Sequence, residues 1–245
     1  MTETRRRYFF PASLPRSTRR LAFRILFAIL LASVLPVIAL RWLPPPTSAF
    51  MLEAWAGALL TGQHLDLRYQ WTAWDAISPE AALAVMASED QLFPEHDGFD
   101  FHAISRAISS NRKGRPLRGA STISQQTAKN LFLYSGKSLW RKALEAYFTV
   151  LLESLWPKRR ILETYLNIAQ FGKGIYGVTA AAETYFHKPA SDLTTAEAAL
   201  LAAVLPNPVV LRADRPSNYV LKRRQWIMRQ MRQMGGRGFL NRLAP

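Results

Sequence analysis

Cysteine is absent from the chain, which excludes disulfide staples and thiolate metal sites and fits an extracytoplasmic protein. Acids are scarce: 17 Asp and Glu stand against 32 Lys and Arg, for a formal net charge of +15. Spread over one face, that excess would suit a nucleic-acid binder, but it sits at the ends. Residues 1–24 hold seven Arg and one acid, and residues 222–242 hold seven Lys or Arg and no acid. The intervening body carries 18 basic and 16 acidic side chains, so no nucleic acid is expected as a partner. Strand patterns longer than a few residues and internal repeats are also missing, which argues against sandwiches, barrels and solenoids. With 245 residues and 49% apolar side chains, the chain can form one good core.

The long apolar run lies near the N-terminus. "ILFAILLASVLPVIAL" has no charge over sixteen residues, is extended by Trp42 and Leu43, and is flanked by Arg24 and Arg41, which can snorkel. About 20 residues span a bilayer, so residues 21–43 are expected to form a single transmembrane anchor behind a basic tail, residues 1–20. A cleaved signal peptide and a buried core helix are the alternatives; no small-x-small cleavage site follows the run. The arginines before the span place the N-terminus in the cytoplasm and residues 44–245 outside.

Helical signals dominate the rest. "PPPTS" at Pro44 to Ser48 reads as a stiff exit from the membrane. Ser78 before Pro79 has the form of an N-cap with proline at the first helical position. Asp100 can cap "FHAISRAISSN", and Ser138 can cap "LWRKALEAYFTVLLESLW", which Pro157 stops before "PKRRILETYLNIA". "GKGIYG" is a turn, and further helices follow. The fold class is mainly α.

Three stretches carry candidate chemistry. In "MASEDQLFPEHDGFDFH", Glu89 and Asp90 fall at a helix C-terminus, where the macrodipole disfavours carboxylates. Adjacent acids raise one another's affinity for a proton, which suits a general base. The alternatives are a frayed end with both acids solvated, or a metal site from Asp90, His96, Asp97, Asp100 and His102, although EF-hand and HExxH spacings are missing. "GASTISQQTAKN" follows a basic stretch and has the form of an anion cradle at a helix N-terminus, with Lys129 on the helix; an ordinary N-cap after a solvated basic loop is the other reading. In "WRKALEAYFTVLLE", Trp140, Leu144, Tyr147, Phe148, Leu151 and Leu155 share one helical face, and Arg141, Lys142, Thr149 and Glu153 share the other. Glu145 lies at the border, where a salt-bridged surface stripe would also account for it.

Together these stretches resemble the peptidoglycan glycosyltransferase family, in particular its monofunctional biosynthetic members. The family's first motif matches "EDQLFPEHDGFD" through Glu89, Asp90, Phe93, His96 and Gly98. The second matches "GASTISQQTAKN", with Ala120 in place of a glycine and Ser124 in place of a threonine. "RKALE" matches the third, and "RRILETYLN" and "YGVTAAAETYF" resemble the fourth and fifth. The S-x-x-K at residues 110–113 has no K-T-G partner, so no transpeptidase domain is expected.

The resemblance implies a lysozyme-like helical domain with an apolar jaw at the membrane. It implies polymerisation of lipid-linked disaccharide-peptide units (lipid II) into a glycan strand with release of undecaprenyl pyrophosphate, at the bacterial inner membrane with the catalytic domain periplasmic. Glu89 and Glu145 would be catalytic, Glu89 as base. Asp90, Phe93, His96, Ser121, Thr122, Gln125, Gln126, Lys129, Arg141 and Lys142 would serve the substrate. Partners implied are lipid II, the growing glycan, the membrane and cell-wall synthesis proteins. No cofactor is expected to be tightly bound, Mg²⁺ or Mn²⁺ being ions that could accompany the substrate pyrophosphate. A lytic transglycosylase or lysozyme-like hydrolase is the rival enzyme. A non-enzymatic tether that binds anionic lipid through "KRRQWIMRQMRQM" is the rival of another class.

Overall fold

The computed structural model describes residues 16–111, 121–136 and 138–243. The Gly119–Ala120 turn and the tail before residue 16 lie outside these residues, as do the side chains of the S-x-x-K stretch. Ten α-helices run through the described residues: α1 (Arg16–Leu40), α2 (Ala49–Leu60), α3 (Pro79–Glu89), α4 (Phe101–Asn111), α5 (Ile123–Phe132), α6 (Leu139–Leu155), α7 (Lys158–Ile168), α8 (Val178–Phe186), α9 (Thr195–Val204) and α10 (Asn218–Gln233). The strands are two or three residues long: β1 (Arg68–Tyr69), β2 (Gln170–Gly172) and β3 (Ile175–Tyr176). They form a sheet in the order β1-β3-β2, with β1 parallel and β2 antiparallel to β3. The fold is mainly α, as expected, and the "GKGIYG" turn joins β2 to β3.

The core is built around α3. Ser78 accepts from the Glu80 N–H and Pro79 occupies the first helical position, so the helix starts where the sequence signals it. Residues 80–87 are all buried. The alanines of α3 (Ala81, Ala82, Ala84, Ala87) and of α9 (Ala198, Ala199, Ala202, Ala203) have almost no exposed surface, and α3 packs chiefly on α9. Small side chains on both helices let the backbones approach closely. α10 then covers α9 with Val220, Ile227 and Met231.

Helix α1 is long and apolar enough to cross a membrane, with a mean hydropathy of 2.5, and its side chains from Leu21 to Leu31 are exposed. Its C-terminal end behaves differently. The last carbonyls of a helix lack intrahelical donors, and here other elements supply them. Trp156 Nε1 donates to the Val37 carbonyl at 2.7 Å, and Arg160 donates to those of Leu40 and Leu43 at 2.8 and 2.6 Å. Arg41 donates to the Leu155 carbonyl at 2.6 Å, and Ser33 and Tyr147 share a hydroxyl hydrogen bond of 2.8 Å. The end of the span is thereby part of the domain that follows it.

Helix α6 buries part of its polar face. Glu145, Thr149 and Leu152 are its buried residues, whereas Trp140 is 72% and Val150 52% exposed. Phe148, Leu151 and Leu155 of the apolar face pack against the core, Phe148 stacking on Phe132, and Tyr147 meets α1, so the buried side of the helix takes in Glu145 and Thr149 together with part of the apolar face. Exposed apolar side chains continue on α2, at Leu52, Trp55, Leu59 and Leu60. α2 is tied to the segment before α6 by Glu53, which accepts from the Ser135 N–H and hydroxyl at 2.7 Å each.

The dependence of the domain on the end of α1 can be tested by truncation in detergent. A chain beginning at residue 33 should keep the full-length unfolding temperature. A chain beginning at residue 44 should unfold several degrees lower, because each buried donor of Trp156 and Arg160 left without a partner costs about 1–3 kcal/mol. Thermal unfolding of the two truncations decides it.

Candidate active site

The two acids that close α3 go separate ways. Asp90 is the C-cap of α3 and is buried. Its Oδ2 accepts the Ile123 N–H at 3.0 Å, at the first turn of α5. A carboxylate is favoured at a helix N-terminus for the same dipolar reason that disfavours it at a C-terminus. His96 Nε2 stands 3.0 Å from both Asp90 oxygens, and the Gly98 N–H donates to His96 Nδ1 at 3.1 Å. The proton of the imidazole therefore sits on Nε2 and faces the carboxylate. Thr122 caps α5 in a capping box with Gln125, and its hydroxyl also donates to the Gly98 carbonyl at 2.7 Å. This set of contacts locks the loop 90–98 onto α5.

Glu89 remains at the cleft. Its Oε2 accepts from Gln126 Nε2 at 3.0 Å, and its Oε1 accepts from the Ser88 hydroxyl at 3.0 Å. Arg223 Nη2 lies 3.5 Å from Oε1 and donates to the Ser88 oxygen at 3.0 Å. Behind Gln126, the Tyr165 hydroxyl donates to Gln126 Oε1 at 3.1 Å. The cleft holds about 370 Å³ and is lined by Ser88, Glu89, Asp90, Gln91, Leu92, Asp100, Ser121 and Thr122, among others.

Glu145 is buried on the inward face of α6 and carries two cations. Arg141 Nη1 bonds its Oε2 at 2.8 Å and Lys142 Nζ bonds its Oε1. The salt-bridged stripe read from the sequence thus exists, but inside the protein rather than on its surface. Lys129 places its ammonium 5.4 Å from the centre of the Phe50 ring. Burial lowers its proton affinity, the Glu145 carboxylate opposes that, Arg141 and Lys142 reinforce it, and the Glu89 charge opposes it again. Lys129 therefore lies within electrostatic reach of both glutamates.

The structure brings Glu89, Gln126 and Lys129 to one region and gathers Arg141 and Lys142 on Glu145. Ser121 is exposed at the cleft. Asp90, His96, Thr122 and Gln125 spend their polar atoms on the internal contacts above, and Phe93 has no exposed surface, with Lys158 Nζ 4.7 Å from its ring centre. Among the described residues no group of three or more His, Cys, Asp or Glu could hold a metal ion, and Asp90 and His96 bond each other. Sequence reasoning missed Ser88, Tyr165 and Arg223. Arg223 did carry a signal: it stands three residues after Val220 and four before Ile227, inside the buried stripe of α10. Sequence reasoning also missed the pair Glu153 and Lys158, bonded at 2.8 Å; Glu153 takes the Ser124 hydroxyl and Lys158 donates to the His96 carbonyl.

Residues 58–232 match the family model described as Transglycosylase. A biosynthetic peptidoglycan transglycosylase of Cronobacter sakazakii is 53% identical over 226 residues, covering 91% of this chain and 92% of the relative. One from Klebsiella oxytoca is 56% identical over 227 residues, covering 90% and 94%. One from Ectopseudomonas mendocina is 52% identical over 230 residues, covering 94% and 95%.

Gly98 tests how far the cleft depends on its supporting loop. Its φ is +87°, and an added Cβ would lie 2.7 Å from Thr149 Cγ2 and 3.0 Å from Glu153 Cγ. Gly98→Ala should cost about 1–3 kcal/mol, read by urea unfolding. It should lower turnover as well, because the strained loop carries His96 away from Asp90.

Proposed function

The chain belongs to the transglycosylase family, and from that premise we infer that it is a biosynthetic peptidoglycan glycosyltransferase, an enzyme that polymerises glycan strands at a membrane. The donor is a lipid-linked disaccharide-peptide, lipid II or the growing strand, and the leaving group is undecaprenyl pyrophosphate. The span α1 would hold the domain against the bilayer that contains the substrate, with the N-terminus cytoplasmic and the domain periplasmic.

One observation carries the assignment of roles. A glutamate held open at a cleft, Glu89, and a second, buried glutamate that carries two cations both lie within electrostatic reach of the Lys129 ammonium. The reaction needs a base for the acceptor's 4-hydroxyl and positive charge for a departing pyrophosphate. Glu89 supplies the base: the donors on its two oxygens orient the carboxylate, and the attacking hydroxyl gives it a proton as the new glycosidic bond forms. Lys129, Arg141 and Lys142 against one Glu145 leave a net charge of two to stabilise the pyrophosphate. Glu145 acts by positioning, since its two oxygens fix Arg141 and Lys142. Mg²⁺ or Mn²⁺, if used, would come with the substrate phosphates and need few protein ligands, and no step here runs through one. Cell-wall synthesis proteins would be partners at the same membrane.

The hydrolase reading is less well supported. A glycoside hydrolase must protonate a leaving sugar oxygen, whereas Glu89 is surrounded by hydrogen-bond donors that suit an ionised acceptor, and three cations have no role in that reaction. Arg223, Arg237 and Arg242 of the basic C-terminal region are engaged with Glu89, Glu80 and Glu95, which leaves fewer charges for a purely lipid-binding role.

Purified protein supplied with labelled lipid II should form polymer, and supplied with sacculi should release nothing. Muropeptide release without polymer would hand the assignment to the hydrolase. Glu89→Gln should fold with an unchanged melting temperature and lose roughly 10² to 10⁴-fold in turnover.

A pH prediction follows from Lys129. Because its proton affinity is lowered, chiefly by burial, its charge should be lost at a pH below that of an ordinary lysine, and turnover should fall on that alkaline limb. An arginine does not deprotonate in this range. Lys129→Arg should therefore move the limb to higher pH in whatever activity remains, as read from a pH–rate profile.

A further inference from the structure

We propose that Tyr165 is a positioning residue for the reaction, anchoring the Gln126 amide by its oxygen so that its NH₂ group is held against the Glu89 carboxylate. The inference rests on the reading of Glu89 as the base. An ionised carboxylate only accepts hydrogen bonds, so Gln126 must present Nε2 to it, at 3.0 Å. The amide oxygen then points the other way, where the Tyr165 hydroxyl meets it at 3.1 Å.

The carboxylate sets which end of the amide faces it, and Tyr165 holds the other end. An amide bonded at one end can swing about its side-chain torsions, whereas one bonded at both ends keeps its donor in line. Tyr165 supplies the second bond. Its side chain is 1% exposed in the core, and burial, followed by the nearby Glu89 charge, holds its hydroxyl well above the usual tyrosine range. It stays protonated across the pH range of catalysis and remains a donor. The chain of bonds runs from α7 through α5 to the end of α3 in one direction, Tyr165 to Gln126 to Glu89.

Among the described residues, the charged and titratable groups that face Glu89 are few. Asp90 adjoins it, Asp100 shares the cleft, Lys129 comes from α5, Tyr165 from α7 and Arg223 from α10. Of these, Tyr165 alone acts on Glu89 through Gln126. Removing its hydroxyl frees the far end of the amide, and a carboxylate whose hydrogen bond from a donor is loosened takes up a proton more readily. A general base must be unprotonated, so the acidic limb of kcat/KM should move to higher pH.

The test is Tyr165→Phe, which keeps the ring and the volume. With lipid II as substrate, kcat should fall roughly tenfold, the scale of one hydrogen bond, with KM little changed. The acidic limb of kcat/KM should rise by about half a pH unit or more. Gln126→Met, which removes both the donor and the acceptor, should also raise the limb, and adding Tyr165→Phe to it should change the limb no further. An unmoved limb in Tyr165→Phe, or an undiminished effect of Tyr165→Phe in the Gln126→Met background, would overturn the proposal and leave Tyr165 a core side chain. Should Tyr165→Phe fail to fold, an unmoved limb in Gln126→Met overturns it equally. Glu89→Gln run alongside separates the two readings. Retained turnover there defeats the base assignment itself, whereas an inactive Glu89→Gln with an unmoved Tyr165→Phe limb defeats only the relay.

Discussion

The bond between the Asp90 carboxylate and the first turn of α5 is the constraint on which the site depends. It joins the end of one buried helix to the start of another, and it satisfies an orphan donor with a full charge. His96 and Gly98 complete the same joint from the loop between them. With Asp90 committed to the fold, Glu89 is the acid left at the cleft, and Gln126, one turn into α5, is placed to meet it. An acid pair at a helix C-terminus is locally unfavourable. Here the neighbouring helix offsets the cost for one acid, and the other is held by Gln126, Ser88 and Arg223.

Helix α6 shows a second way in which the surroundings decide what a pattern means. Its buried side takes in polar residues as well as Phe148, Leu151 and Leu152. Glu145 and Thr149 are consequently inside. A buried carboxylate is tolerated only when paired, and Arg141 and Lys142 pair it from the preceding turn. The same orientation that buries Glu145 with its two cations within electrostatic reach of Lys129 leaves Trp140 exposed. The end of α1, hydrogen-bonded to Trp156 and Arg160, fixes where that helix stands relative to the span.

Much of this was legible in the chain. Ser78, Pro79, Ser138 and Pro157 mark helix boundaries through local backbone chemistry, and those boundaries appear where the sequence places them. The span was legible because its length and lack of charge have one main physical use. Glu89, Lys129 and Glu145 were legible through their motifs. Tyr165 was not, since a tyrosine among apolar residues of a helix reads as core, and its hydroxyl matters only because Gln126 stands opposite. Arg223 lies 134 residues from Glu89 in a basic run whose obvious reading is a solvated or lipid-facing surface.

The sequence by itself determined the helices, their caps, the membrane span and the residue types available for acid–base and phosphate chemistry, because these follow from periodicity, capping and composition over a few turns. The tertiary structure alone decided which of two adjacent acids is structural and which faces the cleft. It also decided which face of α6 is buried, and that a tyrosine and an arginine from distant helices converge on one carboxylate. Those outcomes depend on which helix ends and side chains meet across the core, a property of packing between elements that no local pattern encodes.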